Sequence, residues 1–260
     1  MSDATPAHPD SSLDRRTLLR LGAGAVTAAG LAAAGVVTAQ SAAAYGWPSV
    51  LQQGSTGAAV TELQIRVAGW AADSAAHTHV AVDGDFGPGT AAAVRRFQSA
   101  YGLGVDAVAG PQTFSVLNSL EDSDGSTVHF DFSEFYSHDG SGLSGGKVGS
   151  ATVKENVRRL MYKLEAVRKK AGNHPVTINS GFRSVAYNTS IYGYATNSQH
   201  QYGIAADIVI SGVATKTLYQ IGERSGFSGL ESYAHSWQHM DSRVEYAYGA
   251  QTWWWEDGTV

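Results

Sequence analysis

The sequence predicts two folded parts: an α+β domain, with an antiparallel sheet and its helices to one side, preceded by a small three-helix all-α domain. Three observations carry this. An internal repeat, residues 83–90 returning at 106–113, punctuates a helical first segment. A long amphipathic helix opens near Thr152. Short apolar strand-like runs at 176–178, 204–210 and 236–241 follow it, with a second helix expected from about Thr215 to Ser225. That grouping suits helices packed on one side of an antiparallel sheet.

Composition sets the outer bounds. A chain of 260 residues divides more naturally into two modest domains than one. It has no cysteine, so there is no disulfide and no thiolate ligand for a metal. A formal charge of −5 excludes the broad basic face that nucleic acid demands.

Residues 1–44 read as an address rather than a fold. Arg15-Arg16 precedes a small, apolar run from Leu21 to Ala39, and Ala42-Ala43-Ala44 offers a cleavage site. The segment resembles a twin-arginine export signal. A transmembrane anchor is the weaker reading, because the run is rich in alanine and glycine. The expected mature chain starts near Tyr45, is secreted, is not held in a membrane and is monomeric.

Residues 45–122 form the three-helix part. Val60, Leu63, Gln64 and Val67 mark one helix, Ala93, Val94, Phe97 and Tyr101 a second, and Phe114, Leu117 and Leu120 a third. In each repeat, Gly-Pro-x-Thr places proline at the first helical position, where its missing N–H is harmless. His77 and His79 lie in a polar loop and read as solvated. Residues 121–126 are a short acidic, glycine-containing linker.

Residues 123–260 form the α+β part. Val128, Phe130 and Phe132 alternate as a strand would, and residues 137–150 read as a loop in which His138 and Asp139 are solvated. Thr152 and Glu155 have the spacing of a capping box for the long helix. Its buried stripe is Val153, Val157, Leu160, Met161, Leu164 and Val167. Arg158, Arg159, Lys163, Arg168 and Lys169 form a basic face, either a wet side or a contact for anionic polymer.

The chemistry concentrates in Ser198-Gln199-His200-Gln201-Tyr202-Gly203-Ile204-Ala205-Ala206-Asp207. Gly203 lets the backbone bend so that a loop histidine covers the strand face carrying Asp207. Ala205, on that face, leaves room for an ion. A strand at 236–241 puts Trp237, His239 and Asp241 on one face. His200, Asp207 and His239 then give two imidazoles and a carboxylate with a fourth position open, the ligand set of a catalytic zinc.

These motifs, with Asn179-Ser180-Gly181-Phe182-Arg183-Ser184 upstream, resemble the zinc D-alanyl-D-alanine carboxypeptidases and endopeptidases of the peptidase M15 group. The resemblance runs from about Phe130 to Arg243. Leu51-x-x-Gly54-x-x-Gly57 and the two Gly-Pro-x-Thr turns resemble a peptidoglycan-binding domain found beside wall hydrolases. Together they imply one zinc ion, a peptidoglycan substrate and a wall-associated protein. They also imply Arg183 as the group that binds a substrate's terminal carboxylate. Many relatives place an acid three residues before the last zinc histidine; here that position is Ser236. Glu231 and His235 are the nearest substitutes for the base, and Asp241 the expected partner of a ligand imidazole. Two other readings stay open: an L-alanyl-D-glutamate endopeptidase, and a non-catalytic wall-binding protein with a structural zinc.

Overall fold

The computed structural model describes residues 44–233, 236–249 and 254–258. The expected export signal lies outside these residues except for Ala44, and His235 lies outside them too.

The first lobe contains α1 (Ala58–Val67), α2 (Pro88–Ala100) and α3 (Pro111–Ser119). Proline opens both α2 and α3, as the repeat predicts. The physical unit of that repeat is larger than its turns. The buried Gln64 side chain donates to Asp83 Oδ1 at 2.8 Å and Thr90 Oγ1 at 3.1 Å, and accepts from the Gly84 N–H at 2.9 Å. Gln98 does the same one repeat later: it donates to Asp106 Oδ1 at 2.8 Å and Thr113 Oγ1 at 3.3 Å, and accepts from the Ala107 N–H at 3.0 Å. Each buried amide thus staples the next turn to the helix behind it, and its polar atoms are satisfied in doing so.

The second lobe is built on α4 (Ser150–Lys170), α5 (Val185–Ser190) and α6 (Thr215–Glu223) with a five-stranded sheet. The strands are β1 (Val176–Ser180), β2 (Ala205–Ile210), β3 (Gly229–Tyr233), β4 (Trp237–Asp241) and β5 (Trp255–Gly258), in the order β1-β2-β4-β3-β5. The four strands β1 to β4 pair antiparallel, while β5 runs parallel to β3 at the edge. Alternation then sorts the side chains. Ala206, Ile208, Leu230 and Met240 pack with the apolar stripe of α4 and with Leu218 and Ile221 of α6. Asp207, Glu231, His239 and Asp241 alternate with them and take the opposite face.

Two local expectations differ from the structure. Residues 128–132 are not a strand: Phe132–Phe135 is one turn of 3₁₀ helix, entered through a capping box of Asp131 and Glu134. That turn brings Phe132 and Phe135 together, so both join Phe130 in one core, which strand alternation would not allow. The long helix starts at Ser150 after Gly149, with no side-chain cap. Glu155 is turned instead to Arg158 and Arg159, at 2.8 and 3.0 Å.

The larger difference is at the seam between the lobes. The segment 121–126 is a tight turn closed by Asp122 N–H to Ser126 O at 2.9 Å and Val128 N–H to Leu120 O at 2.9 Å. On the basic side of α4, Arg158 and Lys169 face the first lobe, while Lys163 is drawn into the second. Tyr162 and Ala166 enter the hydrophobic core of α1, α2 and α3. Arg158 grips both oxygens of Glu62 at 2.9 Å. Arg66, 1% exposed, is layered against the rings of Tyr45, Trp47 and Tyr162. Lys163, 2% exposed, donates to Gly226 O and Ser242 Oγ at 2.8 Å and pairs with Glu245.

Gly69 marks where the lobes come closest. A Cβ there would lie 2.4 Å from Ala166 Cβ and 3.0 Å from Lys163 Cα. Gly69→Ala is therefore expected to destabilise the protein by about 1–3 kcal/mol, the range for overpacking a closed core. Calorimetry should show this as a lowered melting temperature of one shared transition. Two well-separated transitions in the unmodified protein would show that the seam does not couple the lobes.

Candidate metal centre

Three elements deliver the candidate metal ligands His200, Asp207 and His239. The 3₁₀ turn Gln199–Tyr202 carries His200 and ends at Gly203, whose φ of 75° reverses the chain into β2. A side chain at Gly203 would be strained by that φ and would meet Val153 O at 3.0 Å. On the sheet, Asp207 pairs directly with His239, and Glu231 of β3 pairs with His239 from the other side. The three residues therefore share one face in neighbouring strands.

His200 Nδ1 lies 2.6 Å from the Gly181 carbonyl, which can only accept, so Nδ1 carries the proton and Nε2 keeps a free lone pair. Nε2 stands 3.3 Å from Asp207 Oδ1 and 3.3 Å from His239 Nδ1, and the last two atoms are 2.8 Å apart. Four ligands placed tetrahedrally at zinc-to-nitrogen and zinc-to-oxygen bond lengths lie roughly 3.3 Å from one another. The donor triangle fits that ion, and all three residues are buried. His239 Nε2 points the other way, to Asp241 Oδ2 at 3.1 Å.

Asp241 is fully buried and anchored by Arg243, whose Nε lies 2.9 Å from Oδ1 and Nη2 2.5 Å from Oδ2. This chain of contacts fixes the ring orientation of His239 and raises its basicity. It requires Gly229 on the adjacent strand, where a Cβ would sit 2.2 Å from Asp241 Oδ2. Burial works against charge throughout the cluster: it prevails at His200, whose pKa it pushes below the ordinary value, while the ion pairs prevail at Asp207 and His239. Asp207 is held well below the usual carboxylate range by His200 and His239, and His239 is pushed up to about 9 by Asp207 and Asp241.

The triad opens into a cleft of about 600 Å³. Arg183 lines it, with Nη2 on Asp207 Oδ2 at 2.6 Å and Nε on Ser180 Oγ at 2.8 Å. The expected carboxylate clamp thus already supports a metal ligand, and the amino group outside these two contacts is Nη1. Glu231 also lines the cleft, and one of its oxygens, Oε2, accepts from Tyr233. Burial, followed by the Glu231 charge, raises the Tyr233 pKa well beyond its ordinary value, which keeps the phenol protonated as a donor.

The structure thus gathers His200, Asp207, His239, Arg183 and Glu231. His138 and Asp139 stay outside the cleft, where exposed Asp139 accepts from Ser141 and Ser184. His77 and His79 are also apart, against Trp254. The Arg243–Asp241 pair and the Gly229 gap escaped the sequence reading. Arg243 stands two residues after Asp241, so a same-side pair was visible in the spacing; the need for Gly229 was not, because it lies across a strand.

Residues 128–241 match the peptidase M15 family, and residues 56–117 match a peptidoglycan-binding domain family. A zinc D-Ala-D-Ala carboxypeptidase of Streptomyces albus G is 45% identical over 186 residues, which span 72% of this chain and 71% of the relative. An uncharacterised protein of Kitasatospora aureofaciens is 39% identical across 43% of this chain and 90% of its own. Among solved structures, a fused zinc-dependent amidase/peptidase/peptidoglycan-binding protein of Clostridium acetobutylicum is 32% identical. It covers 27% of this chain and 29% of its own, with a TM-score of 0.24.

Proposed function

The chain belongs to the peptidase M15 family, and from that premise we propose that it trims the terminal D-alanine of peptidoglycan stem peptides as a D-alanyl-D-alanine carboxypeptidase. It is a zinc metallopeptidase acting on peptidoglycan. The finer assignment rests on one observation: an arginine, Arg183, stands in the cleft beside the metal ligand Asp207. A carboxypeptidase needs a cation near the metal to hold the substrate's terminal carboxylate.

His200 Nε2, Asp207 Oδ1 and His239 Nδ1 would hold the zinc. When bound, that ion supplies a Lewis acid for the scissile carbonyl and lowers the pKa of water towards about 7. The remaining work belongs to the chain. Arg183 Nη1 receives the terminal carboxylate and aligns the last peptide bond. Glu231 serves as the base in place of the acid missing at Ser236. Tyr233 occupies its Oε2, so Oε1 takes the proton of the attacking water and hands it to the departing amine nitrogen. Asp241 and Arg243 keep the His239 ring from turning.

A peptide ending in D-Ala-D-Ala should be cleaved by the zinc-loaded protein, and cleavage should stop with chelator. The same peptide amidated at its C-terminus should be poor by about 10- to 150-fold, the worth of one charge-assisted hydrogen bond. With zinc kept saturating, so that the lost support of Asp207 does not empty the site, Arg183→Ala should lower kcat/KM for the free acid by a similar factor and hardly change the amide. Equal rates on acid and amide would instead favour a cross-link endopeptidase. Among the described residues no helix is long and apolar enough to cross a membrane. The peptidoglycan-binding match at residues 56–117 and the leader-like residues 1–44 support an exported, wall-associated protein.

A further inference from the structure

The cleft is wider than two alanines require, and the surplus has a distinct chemistry. Seven large apolar side chains are strongly exposed among the described residues, and three of them, Tyr192, Tyr194 and Tyr233, line this one cleft. Tyr192 is wholly exposed and Tyr194 is 45% exposed. Exposed aromatics gathered in a functional cleft mark a contact surface rather than scatter.

The two tyrosines sit on a turn that is built, not loose. Tyr194 N–H closes on Ile191 O at 3.2 Å, and Gly193 takes a φ of 73° at the tip. Buried Asn188 donates to Ala195 O at 3.0 Å, and Lys147 to Thr196 O at 2.7 Å. At the turn's far end stands Gln199, 5% exposed and lining the cleft; its Oε1 is buried without a hydrogen-bond partner. A buried acceptor of that kind is costly unless a ligand donates to it.

Charge narrows the ligand. From Ser190 to Gln199 the sequence is Ser-Ile-Tyr-Gly-Tyr-Ala-Thr-Asn-Ser-Gln, with no ionisable acid or base apart from the phenols, and the Lys147 ammonium that reaches the turn is engaged by Thr196 O and Asn197 Oδ1. An ammonium or carboxylate partner would call for an opposite charge here. Flat aromatic faces with an amide acceptor suit a neutral ring that has an apolar face and N–H or O–H donors at its edge, which describes an N-acetylated sugar.

We propose that Tyr192, Tyr194 and Gln199 form a carbohydrate subsite, which holds the glycan sugar to which the stem peptide is attached. This rests on the peptidase reading above. The subsite makes the protein a reader of intact wall, preferring a stem peptide still on its sugar to the same peptide free in solution.

The test compares kcat/KM for a stem peptide carrying one N-acetylated disaccharide with that for the identical peptide without sugar, using the full chain loaded with zinc. The unmodified protein should prefer the sugar-bearing substrate by about tenfold, on the order of one aromatic stack per ring. In Tyr192→Ala/Tyr194→Ala the ratio should fall towards one. Both side chains are exposed, so the melting temperature should not move. Tyr192→Phe keeps the ring and should keep the ratio. A ratio near one in the unmodified protein overturns the proposal. So does a ratio that survives the double substitution, since the first lobe would then be its source. If neither substrate is cleaved, the peptidase reading itself fails and takes the subsite with it; cleavage without sugar preference removes the subsite alone.

Discussion

Alanine in place of Asp207 is expected to strip the protein of its metal and its peptidase activity together. Asp207 Oδ1 is one corner of a donor triangle with sides of 2.8 to 3.3 Å, and without it two imidazole nitrogens remain. Loss of a mere supporting contact costs a metal site about 10- to 100-fold in affinity, and loss of a ligand should cost more. The substitution has a second effect, because Asp207 Oδ2 also holds Arg183 at 2.6 Å. The arginine then loses the contact that aims it. Metal analysis of the dialysed variant should find well under one zinc per chain, and turnover should drop to background. Asp207→Asn separates the two effects, because it keeps the shape but its single amide oxygen can serve the metal or accept from Arg183, not both. Full zinc occupancy in Asp207→Ala would remove this residue from the ligand set.

The second large effect is expected at Glu231. Its backbone pairs with that of His239, which puts both side chains on the cleft face. Glu231→Gln preserves length and the contact with Tyr233 but cannot accept a proton. General acid–base catalysis contributes about 10²- to 10⁴-fold, so kcat should fall by that factor. Zinc content and KM should stay near those of the unmodified protein, because Glu231 is neither ligand nor clamp. Undiminished kcat in Glu231→Gln would shift the base to another group, with His235 the remaining sequence candidate.

The convergence of His200, Asp207 and His239 was legible in the sequence because their geometry is local. A glycine three residues after His200 and strict alternation around Asp207 and His239 were enough to bring the atoms together. The same holds for α4, whose buried stripe follows the helical period. What sequence alone misassigned depends on partners far along the chain. The basic face of α4 reads as solvent-facing until Glu62, 96 residues before Arg158, is seen across the seam. The alternation at 128–132 is genuine, but the demand to bury Phe130, Phe132 and Phe135 in one core overrides it. Thr152 and Glu155 had the spacing of a capping box, yet two arginines compete for the glutamate and win.

The seam at Gly69 and Ala166 also sets how this enzyme meets its substrate. A module on a flexible tether searches a volume around each attachment point, at an effective concentration governed by tether length. Here helix α4 belongs to both lobes, so the reach from anchor to blade is constant. On the proposal that the first lobe seats on the wall, the bonds available to the cleft are those at one stand-off and one orientation. Bonds nearer or farther wait until the anchor lets go.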